Sequence, residues 1–577
     1  MNNRKKAIRR NSGMALLTAL LFISITVIVL TAMMGRYVQQ RLQVDRFEDY
    51  YICFEAAQAA IEQGKAALNA GDFSFRIGIP SEWEPTFDDN NTLIMPGFDE
   101  TGIQPQSFTS IPDVEYIMYM HEWHGDGRDT NGDGTVDSEA EEGMFSIHAV
   151  ARLNGVTRRL ESVFDTRDFG IWNNAIFAGR GQAGRLINGN VQIHGSVHLL
   201  GDDLPDGGVA VEAVDMSGTA MIRNDYVGFG IPGSISSRIP PLRTTLYQGE
   251  VVETLNTEFR VRRGIAALSG NSHVGTPFQP GTGWKGPVDG TFVTDGWGGN
   301  AGTDNVFSDN STDTPYDLGD SIALPLFEDD YRDPDTGDRI HNTETGTWYT
   351  HAEYFTEVLV GGPDRQPGGG MFNGNLDFGS VGGGGNSGSN DGFYYNATTG
   401  EHVEGDTSGV TVNPDHHYIF KPEGSNIIQI NGAIHINGNL DFPRDDFYYY
   451  GRGSIFVEGE VEVAGTLLPV NSPTNSNDVS HNTFPYISCL GVMSRGRMAL
   501  GTTSQRHMMG AFYSADNVNL SFQTRLGGTI VGRDFEMGNQ VPSIFQVPVL
   551  AQNLPLGMIG DFPILRLQDL AWRELGV

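Results

Sequence analysis

Lysine is nearly missing from this 577-residue chain, which has five: Lys5, Lys6, Lys65, Lys285 and Lys421. Cysteine occurs twice, at Cys53 and Cys489. Two cysteines so far apart build neither a disulfide framework nor a cysteine metal site, and both are expected to be buried as small apolar groups. No cationic cluster exists beyond the first ten residues, and 37 basic against 71 acidic residues leave a net charge of −34. Phosphate contact needs basic surface, so a nucleic-acid partner is excluded. No glycine-rich run is followed by Gly-Lys-Ser/Thr, so a phosphate loop is missing too. His121 and His124 are three apart in an expected strand, whereas the zinc-protease pattern needs histidines four apart on a helix. His416 and His417 are adjacent strand residues and point to opposite faces. Arg497 and Arg525 belong to no recognisable lyase-like arrangement, so the expectation is a protein that is not an enzyme.

What is present begins at the N-terminus. Residues 1–13 carry Arg4, Lys5, Lys6, Arg9 and Arg10 and no acid, and 14–34 (MALLTALLFISITVIVLTAMM) carry no charge. At about 1.5 Å per residue, such a stretch spans a hydrocarbon core of about 30 Å. It is longer than the apolar part of a secretory signal. The basic flank stays in the cytoplasm by the positive-inside rule, which sends the rest of the chain across. In 35–70 the residues Val38, Leu42, Phe47, Tyr51, Phe54, Ala57, Ile61 and Leu68 recur at helical spacing, predicting an amphipathic continuation that stops near Gly71.

The basic leader ending at Gly13, the Gly13-Met14 junction, the uncharged MALLTALLF start and the FEAAQAAIEQGKAAL end of the helix together resemble the type IV pilin family, most closely its PilX-type minor pilins. The resemblance implies cleavage after Gly13 by a prepilin peptidase, with Met14 as first mature residue. It implies a single-pass inner-membrane subunit with a cytoplasmic N-terminus before assembly. Afterwards the subunit is expected in a periplasmic or cell-surface filament, packed through its helix against other pilin or pseudopilin subunits. Major pilins of the family have a glutamate at the fifth mature position; here it is Thr18, a departure that resembles minor, tip-located subunits. A plain membrane anchor carrying an exported domain is the alternative.

After an aperiodic connector, 71–110, three alternating segments at 114–123, 144–153 and 156–164 predict a small antiparallel sheet within 111–165. Asn154-Gly155 suits a tight hairpin there, because both turn positions need positive φ. FSIHAVARLNGVTRRLESVF also resembles the strand pair that follows the helix in PilX-like proteins, so the likeness covers about residues 1–165. Between the first two strands, Asp129, Asn131, Asp133, Thr135 and Asp137 follow the oxygen-ligand spacing of a calcium loop. Position 12 is Ala140, so a neighbour such as Glu141 must complete the set. Ca2+ is therefore the expected cofactor, with an acidic hairpin tip as the alternative.

From 166 to 577, short alternating segments closed by glycine recur at 187–201, 427–442, 454–468 and 518–537. In the second, Ile428, Ile430, Ile434, Ile436, Leu440 and Phe442 share one side while Gly432 and Gly438 mark corners. This pattern predicts a β-solenoid, with a β-sandwich as alternative, capped by the segment around 564–575. Residues 285–410, dense in Gly, Asn and Asp, read as a loop insertion. Their aromatics Trp284, Trp297, Trp348, Tyr349, Tyr354, Tyr394 and Tyr395 are expected either to meet a glycan or protein ligand or to pin the loops. The fold class is α+β: a long helix, a small antiparallel sheet, then mainly β structure. Two functions fit: a minor pilin displaying a β domain for adhesion, or a membrane-anchored β-helix enzyme acting on glycans.

Overall fold

The computed structural model describes residues 3–69, 86–87, 93–94, 105–109, 111–122, 144–168, 170–182, 187–204, 211–227, 233–310, 322–333, 339–379, 391–537, 541–560 and 565–575. The chain is α+β and divides into two units. The smaller holds the N-terminal helix and an antiparallel meander; the larger begins near Asp168 and ends near Leu565.

In the smaller unit one helix runs unbroken over Asn3–Asn69. The hydroxyls of Thr18, Ser24, Thr26 and Thr31 donate to the carbonyls of Met14, Leu20, Phe22 and Val27, four residues earlier, at 2.7–2.9 Å. The helix is long and apolar enough to cross a membrane. Strands Gln106–Phe108, Ile111–Glu122, Met144–Leu153 and Val156–Asp168 form a meander, and Leu565–Leu575 joins as the fifth strand. Asn154 and Gly155 have φ of 50° and 80°, as a tight hairpin requires.

Cys53, Ala56, Ala57, Ala60 and Ile61 pack the helix onto Tyr116, Ile147, Ala149, Leu160 and Phe164 of this sheet. The buried face is one of small residues, because close approach of a helix to a pleated surface leaves no room for long side chains. A Cβ at Gly64 would lie 2.8 Å from Met118 Sδ. The expected apolar stripe is therefore only partly the packing face. Ala57 and Ile61 are buried, but Val38, Leu42, Tyr51 and Phe47 are exposed, Phe47 by 75%.

The larger unit is a stack of parallel strands with three faces, as in a solenoid and unlike a sandwich. Along the first face lie, in spatial order, Phe372–Asn373, Ile427–Asn437, Arg452–Val457, Cys489–Ser494, His507–Leu520, Arg525–Glu536, Ile176–Gln182, Val197–Leu199, Glu258–Val261 and Gly290–Val293. Long strands bend at corners to serve two faces. Ile427–Asn437 pairs with Asp446–Tyr450 before Gly432 and with Arg452–Val457 after it. Gly432 has φ 74°, and a Cβ there would meet the His417 ring at 2.4 Å. The six residues expected to point inward, Ile428 to Phe442, are all buried.

Spatial order is not chain order. The stack is closed in its middle, where Ile530 pairs with Ile176. Residues 322–333 and 339–360 supply side chains that lie on the outside of the first face. Phe327 stacks on Phe456 at 4.5 Å and meets Tyr513 edge-on at 5.3 Å, while Tyr513 Oη donates to the Pro325 carbonyl at 2.6 Å. Covered on both sides, segments such as SIFV and CLGVMS read as continuous apolar runs. Two expectations are corrected. Residues 285–410 are not simply loops: they supply the rung Gly290–Val293, part of this strap, and the strands Gly392–Asn396 and His402–Gly405, which with Tyr418–Lys421 form an antiparallel meander that caps one end of the stack. The segment Leu565–Leu575 is not a rung of the stack: it pairs as the fifth strand of the small sheet.

Candidate functional site: the N-terminal helix and the residues that could do chemistry

Gly13, Met14 and Thr18 lie on one continuous helix, and Met14 is 72% exposed. The Thr18 hydroxyl donates to the Met14 carbonyl at 2.9 Å, so the position that bears a carboxylate in major pilins here serves its own helix backbone. From Leu16 to Met34 the large apolar side chains are exposed, a surface that only lipid or other apolar helices would cover. At the other end the helix is tied to its sheet by polar contacts as well. Asn154 Nδ2 donates to Asp49 Oδ1 at 3.2 Å, Tyr116 Oη donates to Gln63 Oε1 at 2.9 Å, and the Arg158 guanidinium lies 3.4 Å from the Tyr50 ring centroid.

The calcium-like set Asp129, Asn131, Asp133, Thr135, Asp137 and Glu141 lies outside the described residues, as do the side chains of His121 and His124. Among the described residues no three His, Cys, Asp or Glu side chains are drawn together as a metal cluster. His416 and His417 are used structurally: His416 Nδ1 is 3.0 Å from Asn396 Nδ2, and His417 Nδ1 accepts from the Ala433 N–H at 3.2 Å. Cys53 and Cys489 are both buried and unpaired with each other. Of the loop aromatics, Tyr394 and Tyr395 are buried and Tyr354 stacks on Tyr331 at 3.7 Å, so these pin the scaffold. Trp348 is half-exposed, with Arg339 5.2 Å from its ring centroid.

Among the described residues, Ser234–His507 and Ser146–His148 are serine–histidine contacts, and in neither is the hydroxyl set up as a nucleophile. Ser234 Oγ touches His507 Nδ1, but the other ring nitrogen faces the Arg525 guanidinium at 3.4 Å. An imidazole accepting from arginine at Nε2 carries its proton on Nδ1 and donates it to the serine, the reverse of activation. Ser146 Oγ and Glu161 Oε1 both meet the same nitrogen of His148, Nε2, at 2.7 and 3.3 Å. A base-and-orienter arrangement needs the two partners on opposite nitrogens.

One group escaped sequence reading. Asp377, Asp441 and Glu462 stand on successive rungs of the third face. The Asp441 carboxyl is pushed up to about 6, first by burial and then by the charges of Asp377 and Glu462. The available signal was the hexapeptide NGNLDF, present at 373–378 and again at 437–442. The two copies stack in register, Asn373 on Asn437 and Asp377 on Asp441.

No protein-family profile and no curated protein matches this chain. Among solved structures, the competence-associated pilin ComZ from Thermus thermophilus is similar at 16% identity and a TM-score of 0.45, covering 91% of this chain and 97% of that one. The functional reading rests on the chain's own helix and sheet.

Proposed function

We propose that this chain is a minor type IV pilin-like subunit of the PilX type. A prepilin peptidase cuts between Gly13 and Met14, and the helix carries the subunit from the inner membrane into a type IV pilus or a secretion pseudopilus. The solenoid is the part displayed, for adhesion to a surface glycan or protein. The observation that carries this reading is the unbroken helix: bare and apolar over Leu16–Met34, then buried through small residues on an antiparallel sheet. The physical logic is transfer. Lipid covers the apolar half before assembly, neighbouring helices cover it afterwards, and removal of five cations permits the exchange. The loop containing Asp129, Asn131, Asp133, Thr135, Asp137 and Glu141 takes Ca2+ in this reading, and no reaction is catalysed. Mass spectrometry of the N-terminus tests it. A mature chain starting at Met14, and retention of the leader in Gly13→Val, are expected; an intact leader on the wild-type protein or a cut elsewhere defeats the proposal.

A second reading is favoured by one observation, the Asp377–Asp441–Glu462 row, whose central carboxyl lies in the range of a general acid. In that reading the solenoid is a membrane-anchored enzyme acting on extracellular glycans. Release of reducing ends from acidic or neutral polysaccharides by the purified protein, lost in Asp441→Asn, would establish it; no release across such a panel removes it.

A further inference from the structure

Lys285 is 6% exposed, and its ammonium is flanked by two carboxylates, Asp289 in direct contact and Asp309 Oδ2 at 2.6 Å. The hydroxyl of Tyr247 donates to the other oxygen of Asp309 at 2.7 Å, and the Tyr247 ring lies 4.8 Å from Lys285 Nζ. Phe278 backs that ring edge-on at 5.0 Å. The main chain is fixed on both sides: Lys285 N–H donates to the Glu253 carbonyl at 2.9 Å and Asp309 N–H to the Val288 carbonyl at 3.0 Å. The Asp309 carboxyl carbon is thus held next to a shielded amine, with a second carboxylate touching the same amine. Lys421, also fully buried, differs, because its Nζ donates to a main-chain carbonyl, that of Asp391, at 2.5 Å.

We propose that Lys285 and Asp309 become joined by an intramolecular amide bond, with Asp289 as the proton carrier. Burial strips hydration from the Lys285 ammonium while Asp309 stays partly open to solvent, and an amide carries no charge to desolvate. In the reaction the ammonium gives one proton to the Asp309 carboxylate, which becomes the neutral acid. The freed lone pair of Nζ forms the bond to Cγ. Asp289 accepts a second proton from nitrogen and hands it to the departing hydroxyl, and the Cγ–O bond breaks with release of one water. Lys-NH3+ and Asp-COO− are consumed, the amide and water are produced, Asp289 ends as it began, and no oxidant or co-reactant is needed. The link fastens the segment that ends the described stack, beside Asn310, to the loop before Gly290–Val293.

The mass of the intact purified protein decides it. A mass lower by one water than the processed sequence is expected, with a branched proteolytic peptide joining the fragments that contain Lys285 and Asp309. Lys285→Arg and Asp309→Asn should each restore the water, as should Asp289→Asn. Circular dichroism and a melting curve check that each variant is folded, and a lower unfolding temperature is expected for all three. A wild-type mass with the water retained overturns the proposal, as does a branched peptide through Asp289; a linked Asp289→Asn protein overturns the carrier role.

Discussion

The side-chain amide of Asn310 makes both outward main-chain hydrogen bonds of Thr291: its Oδ1 accepts from the Thr291 N–H at 2.9 Å, and its Nδ2 donates to the Thr291 carbonyl at 3.0 Å. Thr291 lies in Gly290–Val293, which among the described residues pairs on one side only, with Glu258–Val261. An open edge is a template for another strand, and here one amide occupies it. In Asn310→Leu a buried donor and acceptor lose their partner, at about 1–3 kcal/mol each. A lower unfolding temperature and larger species in light scattering are expected. A variant that melts like wild type and stays the same size would show that Asn310 does not guard the edge.

Asp441 gives the stack a pH dependence of definite sign. An unfolded aspartate ionises near the ordinary value of 3.8, whereas the native carboxyl waits until about 6. Between those values the native state binds more protons, so stability is highest below the lower one and falls as pH rises through the window. Asp441→Asn should therefore melt higher than wild type at neutral pH, with the gap closing by about pH 4. An equal gap at both pH values would assign the effect to packing instead.

The strap is held by aromatic stacking. Phe327 is buried between Phe456 and Tyr513, and Phe327→Ala should cost about 3–5 kcal/mol. Limited proteolysis should then cut within 322–333 well before the rungs are attacked. Simultaneous digestion of strap and rungs would mean that the strap does not open separately.

On the helix, two substitutions should separate packing from exposure. Ala57→Leu places extra volume where the helix meets its sheet and should destabilise by about 1–3 kcal/mol. Phe47→Ser alters an exposed side chain and should change the unfolding temperature of the isolated subunit by no more than about 0.5 kcal/mol would. If Phe47→Ser is the more damaging in the isolated subunit, the helix face has been misassigned.

The helix was legible because charge, length and periodicity agree over residues 14–70. The rungs around 427–442 were legible because alternation and corner glycines are local. What the sequence could not convey was rung order, since parallel partners such as Ile176 and Ile530 meet through contacts that no local pattern records. The strap was hidden for a related reason: Phe327 and Phe355 sit in a glycine-rich, aperiodic stretch and are buried only because the first face has an apolar outer row. The packing face of the helix was misread because bulk was taken as the mark of burial, while alanines and Gly64 do the packing. For the candidate site, the apolar run that follows the basic residues 1–13 was visible in the charge pattern. The Asp441 row was not, because a carboxylate becomes unusual only once its neighbours are stacked on it.

The seam between Ile176 and Ile530 also sets a timetable. Ribosomes deliver the first of these residues early and the second near the end, and the fifth strand of the small sheet, Leu565–Leu575, comes later still. Until then the nascent protein holds half a stack with one raw end and a sheet one strand short. Both are open edges of the kind that collect other chains, and closures between distant segments are slow. A message truncated after residue 310 would therefore not yield a shorter version of this protein; it would yield one that never stops waiting for its second half.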